Sequence, residues 1–153
     1  MNRRQFVCTA AATLTVVGAR WAGASQWQMV VYKDPSCGCC EAWADAMANA
    51  DFQVDVREVD DLDSVKRKYG VPKGAEGCHT AIIGGYFVEG HVPLEAVVRL
   101  RSEVPDILGI AVPGMPVGSL GMGDDPLVAT YDVLSISRIG EMAVYMSVRP
   151  RKP

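Results

Sequence analysis

The order of strand and helix patterns in this sequence predicts an α/β domain with a mixed β-sheet and flanking helices. Two observations support this prediction: the patterns alternate as βαβα over residues 28–69, and a ββα pattern follows over residues 80–103. A chain of 153 residues, 49% of them apolar, is sufficient for one domain with a moderate core. We therefore expect one domain.

The first half of the pattern is the βαβα unit. A short apolar run at residues 28–32 predicts a strand, and turn-forming residues separate it from helix formers that extend from Cys37 to residue 48. Alternating apolar and polar residues over 52–59 predict a second, half-buried strand. Acidic residues begin the helix predicted over 62–69, and Gly70 ends it.

The second half begins with a predicted hairpin. Apolar runs at 80–83 and 86–88 are joined by a Gly-Gly turn, and both are expected to be strands. Pro93 suits the first turn of a helix, whose apolar face continues to Glu103. Glycine and proline are then frequent over residues 109–123, which predicts a long irregular loop.

Two further apolar patterns, at 131–136 and 142–148, predict a final pair of strands. The loop before them contains Met115 and Met122, whose soft thioethers suit Cu(I); methionines that merely cover a core are the alternative. The four methionines within strand or helix patterns are expected in the core: Met29, Met47, Met142 and Met146.

Residues 1–24 are typical of an export signal. Arg3 and Arg4 precede an uncharged stretch over residues 7–19, and small residues end at Ala24. The paired arginines predict the twin-arginine route, with an ordinary basic leader as the alternative. The apolar stretch is shorter than the roughly 20 residues that span a membrane. We expect cleavage near Ala24, a periplasmic or otherwise exported domain over 25–153, and no membrane span in that form.

The charge of the expected mature chain bears on its partners. Removing three leader arginines leaves 12 basic against 18 acidic residues, a net charge of -6, and removing Cys8 leaves four cysteines. No broad positive surface is available to bind a phosphate backbone, so nucleic acid is excluded as a partner.

Three of the four remaining cysteines lie within a single turn, at the predicted start of the first helix. Cys37 and Cys40 form a C-x-x-C pair at the position where thioredoxin-like proteins carry their redox pair. Amide groups and the positive end of the helix dipole favour thiolates there. If the protein is an oxidoreductase, Cys37 is the attacking and Cys40 the resolving cysteine.

Cys39 adds a third sulfur to this turn. Thiolates are soft ligands that select Cu(I), zinc or iron-sulfur clusters, and three of them suit a metal better than a disulfide does. The alternatives for this turn are a Cys37–Cys40 redox disulfide beside an idle Cys39, or cysteines that serve only for packing. For all four cysteines, two structural disulfides in an exported domain are a further alternative.

A fourth thiol and an imidazole are expected to face this turn. Cys78 and His79 come just before the predicted hairpin, and alignment with a glutaredoxin-type strand places His79 where thioredoxin-like folds carry a cis-proline. We therefore expect Cys78 and His79 to lie beside the three cysteines.

Several dispersed segments resemble the CopG-like family of exported, thioredoxin-like, copper-binding resistance proteins, and the resemblance runs from about Met29 to Ile136. The segments are Tyr32–Cys40, Glu58–Asp61, Cys78–Ala81, Glu89–Pro93 and Ala111–Ser119. The resemblance implies a thioredoxin-like fold and a role in copper handling.

By position, the resemblance also implies a set of metal ligands or their immediate neighbours. His91 matches the family's Gly-His-Val-Pro segment, and a surface or supporting histidine is the alternative. Met122 matches a family Gly-Met segment, although Leu120 replaces a usual proline. The implied set, with Met115 added for its thioether, is Cys37, Cys39, Cys40, Cys78, His79, His91, Met115 and Met122.

The sequence therefore predicts an exported copper protein that binds Cu(I), as one ion or a small cluster, with zinc or an iron-sulfur cluster as alternatives. Copper tolerance would follow from sequestration or from conversion between Cu(I) and Cu(II). Metal ions are the expected partners, together with other copper-handling proteins. A thiol-disulfide oxidoreductase that uses Cys37 and Cys40 is the alternative function, and a domain stabilised by two structural disulfides is the third.

Overall fold

A computed structural model describes residues 27–151 of the chain. The predicted export signal, residues 1–24, lies outside the described residues. Within the described range, no helix is both long enough and apolar enough to cross a membrane.

The described chain forms a seven-stranded mixed sheet with the spatial order β2-β1-β3-β4-β5-β6-β7. The pairs β1/β2 and β4/β5 are parallel, and the other neighbouring pairs are antiparallel. The strands are β1 (Gln28–Lys33), β2 (Gln53–Glu58), β3 (His79–Ile83), β4 (Tyr86–Glu89), β5 (Gly109–Ala111), β6 (Tyr131–Ile136) and β7 (Met142–Val148).

Three helices connect these strands, at the positions that the sequence predicts. At the start of the second helix, the Asp61 carboxylate accepts a hydrogen bond from the Ser64 amide at 2.9 Å, and Gly70 ends that helix with φ 75°. The helices are α1 (Gly38–Ala48), α2 (Leu62–Tyr69) and α3 (Leu94–Glu103), and a 3-10 turn follows α2 at Lys73–Ala75.

Side chains on the two faces of the sheet enter two hydrophobic cores, because successive strand residues point in opposite directions. Trp43 of α1 and Leu100 of α3 pack on one face with Val88. Phe87, the neighbour of Val88 in β4, belongs to the other core with Val71, which follows α2. Helices α1 and α3 therefore cover one face of the sheet, and the α2 region covers the other.

Two features differ from the sequence-based expectation. Strand β5 lies within the segment predicted to be an irregular loop, where Gly109 approaches Phe87 of β4 closely. The core prediction is confirmed for Met29 and Met47, which are fully buried, and Met146 packs against the core. It is wrong for Met142, which is 48% exposed because it lies on the edge strand β7.

Candidate metal centre

The first cysteine-bearing segment is the turn between β1 and α1. The Asp34 carboxylate accepts hydrogen bonds from the Ser36 amide at 2.8 Å and from the Ser36 hydroxyl at 2.5 Å, and the Asp34 carbonyl accepts one from the Cys37 amide at 3.0 Å. Cys37 occupies the N-cap position of α1. Cys37, Cys39 and Cys40 thus lie at the start of a helix, as predicted.

The second segment, residues 77–80, includes the first two residues of β3. His79 pairs with Lys33 in the β1/β3 register, so the end of β1 and the start of β3 lie side by side. The His79 carbonyl accepts a hydrogen bond from the Gly90 amide at 2.9 Å. Strand pairing therefore brings Cys78 to the turn that carries the other cysteines.

Four sulfur atoms converge where these segments meet. The Cys78 Sγ lies 3.4 Å from the Cys40 Sγ and 3.9 Å from the Cys39 Sγ. The Cys39 Sγ lies 3.5 Å from the Cys37 Sγ. All four sulfurs lie within 4.8 Å of one another, which is close enough to share a metal ion or a small cluster.

Cys37 and Cys40 are joined by a disulfide, and Cys39 and Cys78 are free thiols. Cys40 is fully buried whereas Cys37 is partly exposed, which is the arrangement that the C-x-x-C interpretation expects of a resolving and an attacking cysteine. Because metals bind thiolates, a site that uses all four sulfurs requires this disulfide to be reduced first.

His91 contacts the Cys78 thiol directly. The Nδ1 atom of His91 lies 2.7 Å from the Leu120 carbonyl oxygen, which can only accept, so Nδ1 carries the proton and donates. The Nε2 atom therefore presents a lone pair, and it lies 2.8 Å from the Cys78 Sγ. A carbonyl that fixes the tautomer of a ligand histidine is a common supporting contact at metal sites.

His79 lies beside the same thiol, with its Nδ1 atom 3.6 Å from the Cys78 Sγ. Its ring is fully buried and packs against the rings of Trp43 and His91, at centroid distances of 4.5 and 5.3 Å. The Nε2 atom has no hydrogen-bond partner among residues 27–151. Cys78, His79 and His91 form a second group whose donor atoms lie within 4.8 Å of one another.

Burial controls the protonation of these groups. Desolvation and the neighbouring Cys39 raise the pKa of the Cys78 thiol to about 12. Desolvation, with smaller contributions from His91 and Lys66, lowers the pKa of His79 to about 3, and desolvation also lowers the pKa of His91. At neutral pH the Cys78 thiol is protonated and both imidazoles are neutral.

The two loop methionines occupy different environments. Met115 is 56% exposed. Met122 is partly buried and follows Gly121, at which an added Cβ would lie 2.7 Å from the Cys39 carbonyl oxygen and 3.2 Å from the His91 Nδ1. The backbone before Met122 therefore packs against the cysteine turn, whereas Met115 lies next to Gly114, which bridges to Gly77. The ligand roles of both methionines remain predictions.

Sequence reasoning missed three supporting residues. The Leu120 carbonyl holds His91, and a buried ion pair between Lys66 and Glu89 lies beneath the second segment. Glu89 belongs to the Glu-Gly-His-Val-Pro segment, which was a signal that could have directed attention to it. Lys66 carried no such signal, because charged residues on a short helix usually face solvent.

The donor set determines which ions this centre can hold. Thiolate sulfur and neutral imidazole nitrogen are ligands for Cu(I), zinc and iron-sulfur clusters, whereas Mg²⁺ and Ca²⁺ prefer oxygen. The four sulfurs, and the imidazoles of His79 and His91 beside Cys78, therefore fit a soft metal.

The chain is similar in sequence and in fold to two solved structures. Two solved structures, titled "Copper resistance protein copG" Form 2 and Form 1, are 41% and 40% identical to the chain with TM-scores of 0.73 and 0.72. They cover 79% and 78% of this chain, and 97% and 95% of their own chains are matched. The profile of a family described as "Protein of unknown function, DUF411" matches residues 75–122. None of the curated proteins compared with the chain matches it.

These similarities confirm the family resemblance and the mixed α/β, thioredoxin-like fold that the sequence predicted. At this level of identity, over nearly the full length of the solved relatives, the chain belongs to the CopG family.

Proposed function

We propose that this protein binds Cu(I) through Cys37, Cys39, Cys40 and Cys78 and thereby contributes to copper tolerance. The convergence of four sulfurs within 4.8 Å is the observation that carries this proposal. The solved relatives are titled copper resistance proteins, which supports copper as the metal. Several thiolates can bridge ions, so the site has the donors for a small Cu(I) cluster as well as for one ion.

Binding requires two chemical changes. The Cys37–Cys40 disulfide is reduced, and the thiols that bind the metal, including those of Cys39 and Cys78, give up their protons. The lone pair on His91 Nε2, 2.8 Å from the Cys78 sulfur, can contact the metal. His79, neutral and buried, can supply a second nitrogen ligand.

Both modes of tolerance remain part of the proposal. Sequestration needs only the reduced thiols. In redox conversion, oxidation of Cys37 and Cys40 to the disulfide releases two protons and two electrons. The two electrons reduce two Cu(II) ions to Cu(I). A cellular thiol reductant is then needed to restore the pair.

We further propose that the protein works after export by way of residues 1–24 and exchanges copper with other copper-handling proteins. The signal-like leader of the sequence supports this location. Fractionation of cells that express the full chain tests it, because the signal should be absent from the exported protein.

The test of the proposed function is an anaerobic titration of the reduced, exported protein with Cu(I) against a competing chelator. We expect tight binding, and Cys39→Ser should weaken it by about 100-fold. Absence of chelator-resistant binding by the parent protein would refute the proposal.

A second candidate is a thiol-disulfide oxidoreductase, which the Cys37–Cys40 disulfide favours. The same samples distinguish the two functions in a disulfide-reductase assay. An oxidoreductase should keep its activity in Cys39→Ser and lose it in Cys37→Ser, whereas a copper-binding protein should lose Cu(I) affinity in both variants.

A further inference from the structure

The ion pair between Lys66 of α2 and Glu89 of β4 lies almost entirely out of water. The side chain of Lys66 is 5% exposed and that of Glu89 is 0% exposed. A buried ion pair is a weak source of stability, because removing two charges from water costs about as much as their attraction returns. Because stability does not account for this ion pair, we look for its role in the groups to which it is hydrogen-bonded.

Those partners lie on both sides of the Cys78–His79 dipeptide. The Glu89 carboxylate accepts hydrogen bonds from the Gly77 amide at 2.8 Å and from the Thr80 hydroxyl at 2.6 Å. The Lys66 ammonium donates to the Gly77 carbonyl at 3.1 Å and to the Thr80 hydroxyl at 3.4 Å. Each charged group thus contacts the residue before Cys78 and the residue after His79.

The backbone at Gly77 allows this arrangement. A Cβ at Gly77 would lie 2.5 Å from the Gly90 Cα and 3.1 Å from the Val112 carbonyl oxygen, so the chain passes through a gap that only glycine fits. The segment is therefore enclosed by backbone on one side and fixed at its two ends by the ion pair.

From this geometry we propose that Lys66 and Glu89 are positioning residues for the metal centre. They fix the backbone on either side of Cys78 and His79, and so set the thiol against the Cys37–Cys40 turn and the imidazole against His91. The inference rests on the proposed Cu(I) function, because it assigns a role toward the same site. Neither residue is a ligand in this proposal.

The test compares Cu(I) affinities of reduced, folded proteins. The double variant Lys66→Met/Glu89→Leu removes both charges while filling similar volume, and Ile136→Val is the control, because it alters a buried residue of β6 away from the site. We expect Cu(I) affinity to fall at least about tenfold in the double variant, as when supporting contacts of metal ligands are removed, and to stay within about twofold in the control.

A conservative pair at Thr80 keeps the proposal testable if the double variant does not fold. Thr80→Val keeps the shape of this fully buried side chain but removes the hydroxyl, and Thr80→Ser keeps the hydroxyl. We expect weaker Cu(I) binding in Thr80→Val and binding close to that of the parent in Thr80→Ser. A folded double variant, or a Thr80→Val variant, with parental affinity would overturn the proposal.

A measurement without copper separates failure of this inference from failure of the proposed function. In the metal-free protein with Cys37 and Cys40 oxidised, Cys39 and Cys78 are the free thiols among the described residues, so alkylation of Cys78 by iodoacetamide can be measured relative to Cys39. Loss of the ion pair should raise that ratio about tenfold, because a segment that is held less firmly opens more often and exposes its thiol. Ile136→Val should leave the ratio unchanged. An unchanged ratio in the double variant overturns the inference even if the parent protein binds no Cu(I).

Discussion

The two cysteine-bearing segments of the centre are held in different ways. Residues 34–40 form a turn whose hydrogen bonds join near neighbours, such as Asp34 with Ser36 and Cys37, and the turn continues directly into α1. Residues 77–80 are held by contacts from distant parts of the chain: Lys66 of α2, Glu89 of β4 and the backbone of Gly90.

Because of this difference, the turn supplies most of the sulfur atoms, whereas tertiary contacts determine how the fourth sulfur is aligned with them. The turn places three sulfurs in one helical turn by local geometry alone. The fourth sulfur reaches them only if α2, β3 and β4 have packed correctly. The four sulfurs therefore come together only when the tertiary structure has formed. We call residues 77–80 the remote segment, because distant parts of the chain hold it. Changes in the remote segment should affect the metal centre more than matched changes in the turn.

The largest expected effect follows from removing the thiol of the remote segment. Structural sites with four ligands bind zinc with about 10–16 kcal/mol, or roughly 3 kcal/mol for each ligand. Cys78→Ser should therefore weaken Cu(I) binding by at least about 100-fold, and by more than Cys39→Ser does, because Cys78 also contacts His91. Chelator competition measures both; an equal or smaller loss for Cys78→Ser would contradict the comparison.

A pair of glycine substitutions tests the backbone of each segment. Gly77→Ala places a Cβ 2.5 Å from the Gly90 Cα, whereas a Cβ at Gly38 meets nothing within 4 Å. We expect Gly77→Ala to lower the free energy of unfolding by about 1–3 kcal/mol, as overpacking does, and Gly38→Ala to preserve or slightly raise it. Urea denaturation of the two variants measures this, and equal stabilities would show that the remote segment is not tightly enclosed.

The pH dependence of Cu(I) binding tests whether Cys78 is a metal ligand. Its pKa of about 12 means that the thiol is protonated in the metal-free protein at neutral pH, so metal binding releases this proton. Affinity should rise with pH, by about tenfold per pH unit for each proton released, and fall as pH is lowered. Titrations between about pH 6 and 8 should show a slope smaller by about one proton in Cys78→Ser, and an unchanged slope would contradict the assignment.

The smallest effect is expected from the local turn. Asp34→Ala removes the hydrogen bonds to Ser36, but the carbonyl of residue 34 and the start of α1 still hold the Cys37 backbone. Cu(I) affinity should stay within about threefold of the parent value, as for most exposed substitutions. If Asp34→Ala lost as much Cu(I) affinity as Cys78→Ser, the turn rather than the remote segment would determine how the sulfurs are aligned.

The same contrast explains how much could be predicted from the sequence. The turn at Cys37 and the helix after it follow from local residue preferences, and the strand and hairpin patterns predicted most of the sheet. Strand β5 was not predicted, because it is three residues long and begins at Gly109, in a segment rich in glycine and proline. Its pairing with β4 and β6 depends on tertiary packing rather than on its own sequence.

The supporting contacts of the centre were beyond sequence reasoning for a related reason. His79 and His91 were placed near the cysteines by resemblance, but the Leu120 carbonyl that orients His91 is a backbone atom, and any residue type supplies one. Lys66 and Glu89 are separated by 23 positions, and no periodic pattern identifies two charges that meet inside the protein.

The shared position of Cys78 has a consequence for the stoichiometry of binding. Cys78 belongs both to the group of four sulfurs and to the group with His79 and His91, so the two groups offer six donor residues together. If each group held one ion, both ions would share the Cys78 sulfur, and the charge of the first would change the affinity for the second. The titration curve would then differ from the sum of two independent isotherms, because successive equivalents of metal would bind cooperatively or in competition.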